Sequence, residues 1–143
     1  MQRTVAHILE RKGGDVWTVS SDTTVLEALG VMADKNIGAL VVQDGDTIVG
    51  ILSERDYARK VILKGKGSKG TAVGEIMTPD PVTVEPHVTV TECMGLMTDN
   101  RFRHLPVVKD GALVGVISIG DVVNSVIEEQ TFLIDQLEGY ITS

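Results

Sequence analysis

Apolar and polar positions along this chain follow a pattern that is written twice. In the first copy an apolar stretch at 17–20 precedes Val25, Ala28, Leu29 and Met32. Those four share one helix face, because they sit at the i, i+3, i+4, i+7 spacing. The pattern predicts a strand at 17–20 and a helix from Thr24 to about Asn36. Apolar runs at 39–43 and 48–52 then flank Asp44-Gly45-Asp46. Asp-Gly between such runs signals a hairpin. A further helix is predicted from near Glu54. Shifted by 65 residues the order recurs: a strand at 82–85, a helix from Thr89, apolar runs at 105–108 and 113–117 around Lys109-Asp110-Gly111, and a helix from near Gly120. Threonine followed three residues later by glutamate opens both first helices (Thr24 with Glu27, Thr89 with Glu92), the signature of a capping box.

Residues 17–62 align with 82–127 without a gap, and about a third of the positions are identical. They include Gly30 with Gly95, Met32 with Met97, Leu40 with Leu105, Gly50 with Gly115, Ser53 with Ser118 and Asp56 with Asp121. Such self-similarity marks an internal duplication. One copy has only 46 residues, and a three-stranded sheet with two helices leaves apolar surface uncovered at that size. The expected fold is therefore α+β: two tandem βαββα repeats packed as a pseudo-twofold pair, with an equivalent cleft for each repeat at the contact. The expected division in chain order is a helix at 5–11 with repeat one in 1–63, a flexible connector at 64–75, repeat two at 76–130 and a helical tail at 131–143.

Composition narrows the function. Of 143 residues 43% are hydrophobic and 3% aromatic, so Val, Ile, Leu, Met and Ala must build the core. The single cysteine, Cys93, falls in an apolar helix pattern and reads as a small buried hydrophobe. No apolar run of 18 residues and no secretory signal is present, which leads to the expectation of a cytoplasmic protein without membrane contact. A net charge of −7 argues against nucleic acid as partner. The charge is uneven: residues 53–70 carry an excess of four positive charges, and 119–143 carry five acids and no Lys or Arg. The basic stretch suits either a solvated face or attraction of a small anion.

Gly65-Lys-Gly-Ser-Lys-Gly70 is a literal G-x-G-x-x-G but follows a helix, where a dinucleotide fingerprint follows a strand. It reads as linker. His7, His87, His104 and Cys93 show no metal-ligand spacing. No catalytic constellation is visible, so the chain is expected not to be an enzyme. More informative is Gly-x-x-Ser-x-x-Asp at the end of the third strand of each repeat, with Ser53 and Asp56 in one and Ser118 and Asp121 in the other. Ser capping a helix with Asp three residues on is a sufficient structural reason for it. The same geometry offers a carboxylate to a ribose diol and a hydroxyl with free N–H groups to a phosphate, and the glycine lets a ligand near the backbone. Both readings stand on the motif alone. Arg101, Arg103 and His104 lead into a strand of repeat two, where repeat one has the uncharged run Asn36, Ile37, Gly38, Ala39 and Leu40. They fit a phosphate or a solvated loop.

The duplication, the spacing, Ile76-Met77-Thr78-Pro79 at the entry to repeat two and Arg103-His104-Leu105-Pro106-Val107 together resemble the cystathionine β-synthase (CBS) domain pair, or Bateman module. The resemblance covers residues 1–130 and is strongest to small stand-alone bacterial CBS-pair proteins. It implies a non-catalytic regulatory module that binds AMP, ADP or ATP, or else NADH or S-adenosylmethionine, in the clefts between its repeats and signals to an unidentified protein partner. It also implies a homodimer. A structural or protein-interaction module with vestigial sites is the competing reading. In the second cleft the resemblance gives Asp121 to the ribose, Ser118 and Gly120 to the phosphate end, and Thr78, Pro81 and Thr83 to the adenine side. Phe102 and Arg103 would contact the base through their backbone, and Arg103 with His104, as a cation of ordinary pKa, would reach a phosphate. In the first cleft Asp56, Ser53 and Arg55 are the counterparts, with Thr18, Ile37, Gly38 and Ala39 beside the base. Gly13 stands where repeat two has Thr78.

Overall fold

The computed structural model describes residues 2–13 and 15–142. Their contacts divide the chain into two compact units that do not follow chain order. One holds the described residues of 1–15 and 83–143, and the other holds 16–82.

The 16–82 unit carries repeat one. Strand β1 (Thr18–Val19) leads into helix α2 (Val25–Lys35), then β2 (Ala39–Asp44), β3 (Thr47–Ser53) and α3 (Glu54–Tyr57), which turns π-helical over Ala58–Ile62. Thr24 caps α2 by accepting the Glu27 N–H at 3.2 Å, the threonine half of the expected box. Asn36 ends the helix in the left-handed region at φ 55°. β1 runs parallel to β2 across the helix, as a strand–helix–strand crossover requires. β2 and β3 pair antiparallel around Gly45, which takes φ 61°. Val25, Ala28 and Met32 of α2 meet Leu40, Val42 and Leu52 of the sheet in one core. Each buried Val, Leu or Met side chain among them contributes about 1.5–3 kcal/mol.

The segment expected as a flexible connector completes this unit. Thr71 is buried and its hydroxyl donates to the Gly67 carbonyl at 2.7 Å. The Thr71 carbonyl accepts the Val25 N–H at 2.9 Å, and the Thr23 carbonyl accepts the Val73 N–H at 2.8 Å. Helix α4 (Val73–Ile76) puts Val73 and Ile76 into the core, and β4 (Thr78–Pro79) adds a fourth strand beside β3.

The other unit carries repeat two: α5 (Val90–Asn100), the hairpin β5 (His104–Lys109) and β6 (Ala112–Ser118), and α6 (Ile119–Thr142). Asp110 and Gly111 turn the hairpin at φ 51° and 81°, the two positive angles a type I′ turn needs. The counterpart of β1 is reduced to one parallel bridge between Val84 and Val107. Cys93 is fully buried in α5, and burial, then the Glu92 carboxylate, push its thiol up to about 11.

Helix α1 (Val5–Lys12) packs in this unit, although it precedes repeat one in chain order. Its start bonds the loop before α5: Val5 N–H to the Val88 carbonyl and Ala6 N–H to the Pro86 carbonyl, both at 2.9 Å, with Thr4 bridged to Thr89. Thr24 and Ala72 form the equivalent bridge in the first unit. Each repeat is thus completed by the segment that precedes the other one.

Close approach of these segments explains two glycines. A Cβ on Gly50 would stand 2.5 Å from Met77 Sδ and 2.8 Å from the Thr78 carbonyl. On Gly115 it would stand 2.6 Å from Leu9 Cδ2. Gly50→Ala should cost about 1–3 kcal/mol, and Gly115→Ala less, because a leucine methyl can swing aside where a backbone carbonyl cannot. Gly30→Ala, on the exposed face of α2 with open space around it, should gain about 0.5–1 kcal/mol. Urea midpoints of the three variants check the order.

Candidate functional site

Both copies of Gly-x-x-Ser-x-x-Asp run off a hairpin strand into a helix, but the two aspartates meet different surroundings. In the 16–82 unit Ser53 Oγ accepts the Asp56 N–H at 3.2 Å, and Asp56 Oδ2 accepts both the Ser53 N–H and its hydroxyl at 3.0 Å. Asp56 Oδ1 accepts the Thr78 hydroxyl at 3.2 Å and lies 3.3 Å from Lys60 Nζ. Lys60 also donates to the Ile76 carbonyl at 3.0 Å. Only 8% of Asp56 is exposed. The chain itself therefore occupies both oxygens of this carboxylate.

In the unit of repeat two Ser118 Oγ accepts the Asp121 N–H at 3.1 Å, and Asp121 Oδ2 accepts the Ser118 N–H at 2.8 Å. Lys12 Nζ donates to the same Oδ2 and to the Val116 carbonyl, both at 2.8 Å. Burial alone would raise the Asp121 carboxyl, but the Lys12 ammonium and the Ser118 N–H outweigh it and hold the group below the ordinary Asp value. The residue is only half-buried. Beside it α1 and α6 enclose a groove of about 150 Å³. Arg3, Arg11 and Lys12 line it from α1 and the residues before, and Asp121 and Glu128 from α6. Arg3 pairs with Glu128 at 2.8 Å, and Arg11 pairs with the same carboxylate.

The hairpins bring the remaining expected residues to these motifs. Ala39 pairs with Ser53 and the Gly38 carbonyl accepts the Glu54 N–H at 3.1 Å. His104 pairs with Ser118 and the Arg103 carbonyl accepts the Ile119 N–H at 2.9 Å. Arg55 and Gly120, at equivalent positions before the aspartates, are exposed, as is Arg103. Phe102 is half-buried. Ile37 is half-buried, and its N–H closes the end of α2 on the Met32 carbonyl at 3.0 Å. Thr18 is exposed on β1 opposite Val41, and Thr83 is exposed just before the Val84 bridge.

Thr78 and Pro81, expected beside Asp121, belong to the unit of repeat one, where Thr78 bonds Asp56. The exchange of preceding segments is the reason: the segment entering repeat two serves repeat one, and Lys12, just before Gly13, serves Asp121. The motif glycines, expected to admit a ligand, are approached by Met77, Thr78 and Leu9 instead. Lys12 and Lys60 escaped the sequence reading. Lys60 carries a local signal, four residues after Asp56 in helical spacing. Lys12 has none, since its partner is 109 residues away. Among the described residues no group of three or more His, Cys, Asp or Glu could hold a metal ion. None of their helices is long and apolar enough to cross a membrane.

Comparison with known proteins agrees with this architecture. The CBS domain family matches residues 5–63 and 73–128. The mitochondrial CBS domain-containing protein CBSX3 of Arabidopsis thaliana is 42% identical across 96% of this chain and 71% of its own length. The chain spans 19% of the Arabidopsis protein CBSCBSPB5, at 38% identity over 71% of its own length. A solved CBS-domain protein from Burkholderia ambifaria MC40-6 superposes with a TM-score of 0.84 at 53% identity, covering 89% of this chain and 96% of that one. The structure of CBSX2 in complex with AMP superposes with a TM-score of 0.71 at 28% identity, covering 88% and 97%.

His104 is held neutral more firmly than an ordinary histidine. Burial lowers its pKa first, Lys12 and Arg103 lower it further, and Asp121 opposes them. The expectation of a cation with ordinary pKa is thereby corrected: below its usual value near 6.5 the ring still resists protonation. The folded state then binds fewer protons than the unfolded state, so this contribution to stability is full above about pH 6.5 and is lost as pH falls through the folded pKa. An NMR titration should place the His104 ring below 6.5. The unfolding free energy should fall less between pH 7 and 5 in His104→Gln than in wild type.

Proposed function

This chain belongs to the CBS-domain family, and from that premise we propose that it is a non-catalytic regulatory module that binds one adenine nucleotide beside Asp121 and reports its presence to a protein partner. The observation that carries the reading is the Asp121 carboxylate. It is ionised, half-exposed, and fixed by the Ser118 N–H at the start of a helix and by the Lys12 ammonium. A ribose diol donates two hydrogen bonds, and an ionised carboxylate accepts them without needing a proton of its own. AMP, ADP and ATP share that diol, as do NADH and S-adenosylmethionine. The solved AMP complex of CBSX2 supports AMP as the first ligand to test.

Asp56 argues for a single occupied site. Its carboxylate already accepts bonds from Ser53 and Thr78 and faces Lys60. A ligand there must break those contacts in a buried place, where leaving a polar group unsatisfied costs about 1–3 kcal/mol.

Calorimetry with AMP should give one ligand per chain. Asp121→Ala should weaken binding by about 1.5–3 kcal/mol, the range for hydrogen bonds to a charged group. Asp56→Asn should leave AMP affinity within about twofold while lowering the urea midpoint, because it disturbs a buried network and not the binding site. Two ligands per chain, or equal losses from the two variants, would overturn the single-site reading. No heat with any adenine nucleotide would overturn binding altogether.

A further inference from the structure

The groove between α1 and α6 carries more positive charge than fastening one helix to the other requires. Arg3, Arg11 and Lys12 line it against two carboxylates, Asp121 and Glu128. Lys12 is taken by Asp121, so two guanidiniums share the single carboxylate of Glu128. The Arg11 side chain is 67% exposed, and pairs so open to solvent add little stability. Residues 71–82, which complete the other unit in the same way, contain no Lys, Arg or His. Packing of such a segment therefore does not demand cations.

The surplus adjoins the carboxylate of the candidate site, because Asp121 lines the same groove. Oδ2 of Asp121 already accepts the Ser118 N–H and the Lys12 ammonium, each at 2.8 Å. A carboxylate oxygen has about two acceptor positions, so Oδ2 is filled and Oδ1 is left for a ribose hydroxyl. A sugar held there by one hydroxyl has its neighbouring oxygen free to carry a further group. The groove of about 150 Å³ has room for several water-sized groups, and so for a phosphate. A guanidinium has five N–H donors. Arg3 and Arg11 together hold more than Glu128 can accept, so both keep donors for a second anion.

We infer that the site beside Asp121 takes an adenosine whose ribose carries a phosphate on its 2′- or 3′-hydroxyl, with the remaining hydroxyl on Asp121 and the phosphate in the groove among Arg3, Arg11 and Lys12. The inference rests on the reading of Asp121 as the ribose carboxylate and narrows it. Asp121 and Glu128 repel the added phosphate, but three cations outnumber those two carboxylates. The planar fork of Arg matches phosphate oxygens in pairs, and such charge-assisted bonds are the strong ones. Glu128 is the internal competitor. It occupies the guanidiniums in the free protein and shares them when the phosphate enters.

Calorimetry of the full chain with 5′-AMP, adenosine 2′,5′-bisphosphate and adenosine 3′,5′-bisphosphate tests this. One of the two bisphosphates should bind about tenfold tighter than AMP or more, and the isomer that does so identifies the hydroxyl that meets Asp121. The advantage should shrink at high salt, because salt screens exposed charges. Arg3→Gln and Arg11→Gln should each cut the ratio of bisphosphate to AMP affinity to within about threefold. Glu128→Gln should widen that ratio, since it removes the competing carboxylate. Loss of a fastening contact alone would lower both affinities together and leave the ratio where it was. AMP binding with neither bisphosphate tighter would overturn the inference and leave the nucleotide reading standing. A ratio unmoved by both arginine variants would do the same. Failure of all three ligands to bind would overturn the nucleotide reading beneath it as well.

Discussion

Everything in either unit depends on the backbone exchange that completes it. A repeat of this length lacks the surface to bury its own sheet. Repeat one gains Val73, Ile76 and the strand β4 from the segment entering repeat two. Repeat two gains α1 from the segment entering repeat one. Backbone bonds around the Thr4–Thr89 and Thr24–Ala72 bridges fix these joins, and the two bridges are equivalent in form. The join at Thr4 and Thr89 closes a loop of more than eighty residues. Such closure must be offset by contacts elsewhere, here the packing of α1 along β6 and α6. Gly50 and Gly115 are the steric condition for both joins.

The exchange also decides what the duplicated motif can do. Ser and Asp three residues apart make the same reciprocal cap in both copies. What differs is the incoming segment. Before repeat two it brings Thr78 to Asp56, and Lys60 on the following turn seals the far oxygen. Before repeat one it brings Lys12, whose ammonium and the Ser118 N–H both fall on Oδ2 of Asp121. Identical motifs thus become a closed polar network in one unit and an accessible ionised carboxylate in the other. The helix cap and the binding site are not competing explanations of this motif. The cap is formed in both copies, and the neighbours determine whether the carboxylate has capacity left.

Elements held by local patterning were legible in the sequence. The hairpins, α2, α5 and their threonine caps follow from period, turn residues and spacing. The duplication exposed the equivalence of Asp56 and Asp121 without any structure. Which segment completes which repeat was not legible, because two copies of one pattern accept either assignment equally well. The bond from Thr78 to Asp56 was therefore not foreseen, and Lys12 was overlooked. The half-buried setting of His104 was likewise invisible: its neighbour Lys12 lies far away in the chain, and partial burial follows from packing that no local pattern records.

Within the unit of repeat two, the candidate site and the exposed end of α6 are joined by contiguous charged contacts. Lys12 holds Asp121 at the first turn of α6, and Arg3 and Arg11 hold Glu128 two turns further on. The apolar residues of α6 that are more than half exposed begin at Ile127, beside that second anchor. A ligand that donates hydrogen bonds to Asp121 competes with Lys12 for the same carboxylate, so it bears directly on how α1 is fastened to α6. Ligand binding shifts such an arrangement only by its differential affinity for the two states. Two anchors on one helix, one of them at the candidate-site carboxylate and the other where the exposed apolar residues begin, give that difference a physical place to act. On the proposed regulatory reading, ligand and outward surface must share a rigid element, and in this unit α6 carries both Asp121 and the exposed residues from Ile127 onward.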